Sequence, residues 1–415
     1  MAHIPDGQRI SRRAFGLVGA LACAMMLAAC SQGGQGPTGG LQSGLDGQPG
    51  DRKATVKIAL LVPLTAQGHP GLIGKSLKQA AELALFERDI PHVQLVVKDD
   101  KGTPEGAKAA AEEAIKSGAT LILGPLFAKS VATVAPVAKQ AGVPVVAFSN
   151  DRQVAGNGVY LLSFQPGPEV ARVVSYAVAQ GKRRFAALIP DDAFGKVVGP
   201  VFRDAVARAG GTVVALESYP PSANAMLEPL RKISAVVNTG EMEVDALFIP
   251  GAQENLELLG RLLAQAEIDT ERIKLIGTGG MDYPNAGREA RLIGAWYPGP
   301  DPRGFSDFSQ KFAKTHGQAP PRIASLAYDG VTMAIALSGG ASYSATTLTR
   351  ASGFTGVDGA FRLGTDGGTE RALAILEVQK FAPAVVEAAP SLPSAAPAAV
   401  SGTGTSFFNF NFNQN

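Results

Sequence analysis

The run VKIALLVPL (residues 56–64) is followed by GHPGLIGKS (68–76) and then by a helical pattern, SLKQAAELALFE (76–87). A strand-like run, a glycine-rich link ending in Gly-Lys-Ser and a helix are the parts of a nucleotide-binding phosphate loop. Two features exclude that assignment. Such a loop needs glycine five residues before the glycine of Gly-Lys-Ser, and that position is His69. Roughly ten residues also separate the strand end from Lys75, where a phosphate loop has about four or five. The stretch VQLVVKDD (93–100), which could pass for a magnesium-holding strand, reads as the second strand of a repeating pattern. The glycine-rich stretch is therefore expected to be the first loop at the mouth of an α/β unit, with Thr65 near the mouth and Lys75–Ser76 opening the helix.

Working outward, strand-like runs at 57–62, 94–99, 121–124 and 145–148 alternate with helical patterns at 75–88, 104–117 and 130–140. In the second helix Thr103 is a suitable cap, Pro104 fits the first helical position, and Ala107, Ala110, Ala111, Ala114 and Ile115 share one face. The pattern restarts after 159–164 with helix 168–180, strand 184–189, helix 194–209, strand 212–218, helix 224–233, strand 246–249, helix 253–266 and strand 273–278. Late elements follow: an apolar run at 293–297, helices within 307–316 and 322–338, and a closing hairpin at 354–381 turning at GTDGG. Repeated strand–helix units with short links imply parallel sheets covered on both faces. The expected fold is α/β, with two Rossmann-like lobes joined by a multi-strand hinge and a ligand cleft between them. The expected boundaries are 55–163 plus about 293–340 for the N-terminal lobe, and 164–292 plus about 341–381 for the C-terminal lobe.

The ends differ in character. Arg9, Arg12 and Arg13 precede an uncharged, mostly apolar run at 14–26 that is too short to span a bilayer, and LAAC follows at 27–30. Residues 1–29 read as an export signal, and LAAC resembles a bacterial lipobox in which Cys30 receives the lipid. Ser31 at the sorting position points to the outer membrane. Ser11, Arg12, Arg13 and Phe15 fit the twin-arginine pattern, leaving both that route and the general secretory one open. With Cys23 and Cys30 as the only cysteines, the mature chain forms no internal disulfide. Residues 30–54 read as a flexible tether, and 382–415, Ala/Pro/Ser-rich and ending in alternating Phe and Asn, as a low-complexity disordered tail.

Composition excludes other classes. Net charge is +2, from 38 basic and 36 acidic residues, without a basic block, so no nucleic-acid partner is expected. His3, His69, His92 and His316 have no Cys or His at ligand spacing, and no Gly-x-Ser-x-Gly elbow occurs, so neither metal, cofactor nor enzymatic chemistry is expected. The acidic pairs Asp99–Asp100 and Asp191–Asp192 read as solvated turns and helix caps, with Asp192 near the cleft.

The ordered set KIALLVPLTAQG, GKSLKQAAELAL, VQLVVKDDKGTPEGAKAAAEEAI, TLILGPLFAKSVATVAPVAKQAGVPVVAFSN, RRFAALIPDDAFGKVVGPVFRDAVARAGGTVV, DALFIPGAQ and VDGAFRLGTDG resembles the type 1 periplasmic binding proteins, specifically the leucine/isoleucine/valine-binding (branched-chain amino acid receptor) family. The resemblance implies a small solute bound between lobes and delivered to an ABC transporter permease. It also implies ligand contacts at Ala128 with Ser130 nearby, at Ser149, Asn150 and Asp151, at the aromatic Phe194, and near Ala252 and Gly279. Few side chains that recognise an amino acid occupy those positions; Asp282 and Tyr283 could supply the acidic and aromatic groups. Two readings stay open: a lipid-anchored periplasmic receptor for an amino acid or related polar solute, and an outer-membrane lipoprotein that activates penicillin-binding proteins with the same lobe pair.

Overall fold

The computed structural model describes residues 55–392 except 221, 239–242, 252–255, 284 and 341–342. The expected leader, tether and lipidation at Cys30, the Phe/Asn terminus and Ala252 lie outside the described residues.

The first sheet has five parallel strands in the order β2-β1-β3-β4-β5: β1 (Val56–Val62), β2 (Val93–Asp99), β3 (Ala119–Leu123), β4 (Val145–Ala147) and β5 (Val159–Leu161). Strand β1 lies inside the sheet, between β2 and β3, so its residues 58–62 are fully buried and read as one apolar run instead of alternating. Helices α1 (His69–Arg88), α2 (Pro104–Lys116) and α3 (Ala128–Gln140) link these strands. Helix α2 starts as the sequence predicts: Thr103 Oγ1 accepts from Gly106 N at 3.0 Å, and Ala107, Ala110, Ala111 and Ala114 are buried. Thr103→Ala should cost about 1 kcal/mol in urea unfolding; no measurable loss would show that the cap is dispensable.

The opening stretch differs from expectation. Helix α1 begins at His69, six residues before Lys75, so most of GHPGLIGKS is helix and not loop. The reason is packing. A side chain on Gly71 would overlap the Ala66 carbonyl oxygen, and one on Gly74 would come within 2.6 Å of the Pro63 oxygen. The glycines let the helix lie on the backbone that leaves β1.

The second sheet has seven strands in the order β15-β14-β10-β9-β8-β6-β7. Its parallel part is β6 (Arg184–Pro190), β7 (Thr212–Tyr219), β8 (Ala246–Phe248), β9 (Lys274–Ile276) and β10 (Trp296–Gly299), and the antiparallel edge is β14 (Ala374–Glu377) and β15 (Ala384–Glu387). Helices α4 (Pro166–Ala179), α5 (Ala193–Arg208), α6 (Leu227–Asn238) and α7 (Leu256–Gln265) belong to this lobe. One face packs Phe185, Phe202 and Phe248, with Phe202 stacked on Phe248 at 4.5 Å; the other packs Leu188, Leu247, Leu263 and Tyr297.

Late elements return to the first lobe. Helices α8 (Pro302–His316) and α9 (Ala324–Leu337), the short α10 (Ala345–Leu348) and a three-stranded sheet, β11 (Phe354–Gly356), β12 (Gly359–Leu363) and β13 (Thr369–Arg371), share a core with β1 and α1. The expected lobe boundaries need three corrections. Residues 293–299, assigned to the N-terminal lobe, carry β10, which pairs with β9 and β14 of the second sheet. Of residues 341–371, assigned to the C-terminal lobe, those from 343 on pack on the first: Phe354, Phe361 and Leu363 fill its core, and the edge strand β5 donates Leu161 N to Gly367 O at 2.8 Å. The single strand-like run after GTDGG divides, β13 staying with β12 while β14 enters the second sheet. The tail expected from 382 also begins with structure, because β15 pairs with β14 and Glu387 meets Arg172 at 2.6 Å. The chain crosses between lobes at 162–165, 300–301 and 372–373.

Candidate functional site

In open parallel sheets, ligands meet the carboxyl ends of the strands. In the first lobe Asp99, the last residue of β2, organises that end. Its Oδ1 accepts from Leu64 N at 2.9 Å, Thr65 N at 3.3 Å and Lys101 N at 2.9 Å, and its Oδ2 accepts from Thr65 Oγ1 at 2.6 Å. Partial burial works against the charged form, but the Thr65 hydroxyl and the backbone amides outweigh it and hold the carboxyl below its usual range. Thr65 thus lies at the carboxyl end of the sheet, with its hydroxyl committed to Asp99. Asp100 departs from its reading as a solvated turn: it is fully buried, accepts from Gly102 N at 2.8 Å, and burial pushes its pKa up to about 6.

Beside these loops lies an open pocket of about 440 Å³, lined by first-lobe residues. Ala66, Pro70, Pro104 and Phe127 give it apolar walls, and Ala128, Lys129 and Ser130 bring the start of α3 to it. Phe127 occupies the cap position of α3 without a side-chain hydrogen bond, so the first-turn amides keep their donors. Ser130 is fully buried, and its Oγ has no hydrogen-bond partner among the described residues. An uncapped helix start carrying partial positive charge, a buried free hydroxyl and the exposed ammonium of Lys129 can together take a carboxylate. Phe127 and Lys129 were missed by sequence reasoning; the Gly-Pro-Leu-Phe link before α3 was the available signal.

The neighbouring loop follows β4. Phe148 N donates to Pro125 O at 3.0 Å, joining it to the loop before α3. Ser149 is buried and its Oγ accepts from Asp151 N at 3.2 Å, Asn150 is exposed, and Asp151 caps the turn 152–154 by accepting from Gln153 N at 2.9 Å. Thr65, Ala128, Ser130, Ser149 and Asn150 therefore share the carboxyl end of one sheet.

Residues predicted from the second lobe also lie at strand ends. Asp192 caps α5, accepting from Gly195 N at 2.8 Å, and the half-buried Phe194 lies beside Gly251. Asp282 is engaged elsewhere: its Oδ2 accepts from Arg322 at 2.8 Å and its Oδ1 from Tyr297 OH at 3.3 Å. Tyr283 is 42% exposed. At Gly279, where the resemblance implies an acid, the structure brings one from another element: Gly279 N donates to Glu169 Oε2, on α4, at 3.0 Å. Burial raises Glu169 to about 7, opposed by the Gly279 amide and by Arg371. Among the described residues no group of His, Cys, Asp or Glu is arranged to hold a metal ion.

Two α/β lobes joined by three crossings, with cavity-lining loops at the strand ends, define a type 1 periplasmic binding protein fold. Residues 55–382 match the family model described as periplasmic binding protein, and the chain belongs to that family, one of binding proteins and not of enzymes. A putative branched-chain amino acid ABC transporter protein from Rhodospirillum rubrum is 17% identical with a TM-score of 0.70, covering 80% of this chain and 100% of its own. A solute-binding protein of an ABC transporter from Rhodopseudomonas palustris BisB5, solved with 3,4-dihydroxybenzoic acid, is 20% identical with a TM-score of 0.60, covering 81% and 99%. An uncharacterized protein of Rickettsia prowazekii is 21% identical over 231 residues, 55% of this chain; the match spans 61% of that relative's length.

Proposed function

We propose that this protein is the lipid-anchored, periplasmic solute-binding component of an ABC-type uptake system, and that its ligand is a small organic acid, amino acids included, held by its carboxylate at the start of α3. The observation that carries the reading is the uncapped start of α3, whose first-turn amides and buried, unpartnered Ser130 hydroxyl lie behind an open pocket with largely apolar walls. A cavity of about 440 Å³ suits a ligand of amino-acid or benzoate size. The Rhodopseudomonas relative bound to dihydroxybenzoic acid supports a carboxylate ligand. Lipidation at Cys30, an outer-membrane address and a permease partner complete the proposal. A second reading, a penicillin-binding-protein activator, is the alternative for the same lobes; the uncapped α3 start at an open pocket favours the solute.

Thermal-shift titration of the purified protein with leucine, isoleucine, benzoate and 4-hydroxybenzoate should give saturable stabilisation by at least one of them. Ser130→Ala should then weaken binding about tenfold, the loss of one hydrogen bond to a charged group. No response to any member of the panel, together with co-purification of a penicillin-binding protein, would replace this reading with the second.

A further inference from the structure

Arg322 stands at the turn entering α9 and forks toward two acids. Its Nη1 donates to Asp282 Oδ2 at 2.8 Å, and its Nη2 lies 3.0 Å from Asp358 Oδ1. The guanidinium also lies 4.5 Å from the ring centroid of Phe305 on α8.

The two acids belong to different lobes, and each is held by a second partner in its own. Asp282 follows Met281, packed in the core of the second lobe, and accepts from Tyr297 of that core. Asp358 is fully buried in the turn between β11 and β12, accepts from the Ser325 hydroxyl of α9, and follows Val357, which packs on the first lobe's core. Neither acid can follow the other if the lobes part, so separation must break one arm of the arginine. The Asp282 arm is the one that crosses, since Arg322 and Asp358 move with the same lobe.

We propose that Arg322 is an interlobe clasp: it ties the 278–283 loop of the second lobe to the first and sets the separation of the lobes. The guanidinium hydrogen-bonds Asp282 through Nη1 while its other side keeps its charge 3.0 Å from Asp358 without a hydrogen bond to it, a reach that a single ammonium does not reproduce in the same geometry. The crossing pair is about a quarter exposed on each side, 24% for Arg322 and 25% for Asp282, and Asp282→Asn keeps an acceptor oxygen beside Arg322, so it unlatches the joint at a smaller cost than deleting either partner. Asp282 is the residue to change, because removing Arg322 would take from the fully buried Asp358 the cation that lies 3.0 Å from it.

The test uses the full chain with Cys23 and Cys30 replaced by Ala and spin labels on Lys139→Cys in α3 and Arg261→Cys in α7, read by pulsed dipolar spectroscopy. Asp282→Asn should shift the interlobe distance distribution to longer values while the melting temperature stays near that of the unsubstituted protein. Arg322→Lys should produce the same shift. Asp366→Asn, which removes an ion pair of 2.7 Å with Arg152 inside the first lobe, should leave the distribution unchanged. An unchanged distribution in Asp282→Asn, or an equal shift in Asp366→Asn, would overturn the clasp. No ligand enters this measurement, so its outcome is separate from that of the titrations.

Discussion

Replacing Arg371 with methionine should lower the unfolding free energy by about 3 kcal/mol near pH 8, the cost of removing one partner from a buried charge cluster, and by much less near pH 5. Arg371 ends β13 with its guanidinium between two rings, 4.7 Å from the Phe164 centroid and 5.2 Å from that of Phe361. None of its three nitrogens meets solvent or finds a hydrogen-bond partner among the described residues. Burial pulls its pKa down, while Asp358, Asp329 and Glu169 act in the opposite sense. The same burial raises Asp329 to about 7, against the attraction of Arg371 and the amide of Val357, which donates to its Oδ1 at 2.7 Å. Arg371 is thus the cation shared by a carboxyl of the second lobe, Glu169, and two of the first, Asp358 and Asp329.

The pH dependence follows from those two raised values. A carboxyl whose folded pKa lies above its unfolded one favours the folded state below the unfolded pKa and loses that contribution as pH rises through the folded value. For Glu169 and Asp329 the window runs from about 4 to about 7, and each tenfold difference in proton affinity between the folded and unfolded chain is worth about 1.4 kcal/mol. Without Arg371 both carboxyls must ionise unaided, so the penalty deepens above the window. Below about 7 the folded carboxyls are protonated and need no cation, which already holds at pH 5. Urea unfolding at the two pH values reads the difference directly; an equal loss at both would show that Arg371 acts through packing on Phe164 and Phe361 and not through charge.

Gly195→Ala should cost about 3 kcal/mol, combining overpacking with loss of a helix cap, and should abolish ligand binding. Gly195 lies in the first turn of α5, where a methyl group would overlap the Pro190 carbonyl oxygen and approach Ile189 Cγ2 to 3.0 Å. On its other side the amide is fixed to Asp192. Relief requires α5 to move away from β6, which breaks the cap and displaces Asp192 and Phe194 from the mouth of the second lobe. A variant of unchanged stability with full ligand response would show that the helix start tolerates the shift and that neither residue is needed in place.

The alternation of strands and helices, the Thr103 cap and the alanine face of α2 were legible because each is a local pattern. What escaped depended on partners far away in the chain. Gly71 and Gly74 look like loop residues until the Pro63 and Ala66 carbonyls are seen beneath them. TERALAILEV reads as one strand because nothing local marks 372–373, where the chain changes lobes. Glu169, Arg322, Asp329, Asp358 and Arg371 read as ordinary helix, turn and strand charges; Gly279 and Glu169 are 110 residues apart in sequence yet bonded. In the cavity, the start of α3 was placed by resemblance, whereas the isolation of the Ser130 hydroxyl is a property of packing that no spacing could disclose.

The discontinuity of the lobes bears on how the chain folds as it is made. The core around β1 and α1 needs Phe354, Phe361 and Leu363, nearly three hundred residues downstream, and β5 finds its edge partner only at Gly367. Contacts of such long range are slow to form because loop closure must precede them. A nascent chain ending after α9 would lack that apolar cover, so the first lobe to be synthesised is among the last to close, and the chain stays open to unfolded-state handling until almost all of it has emerged.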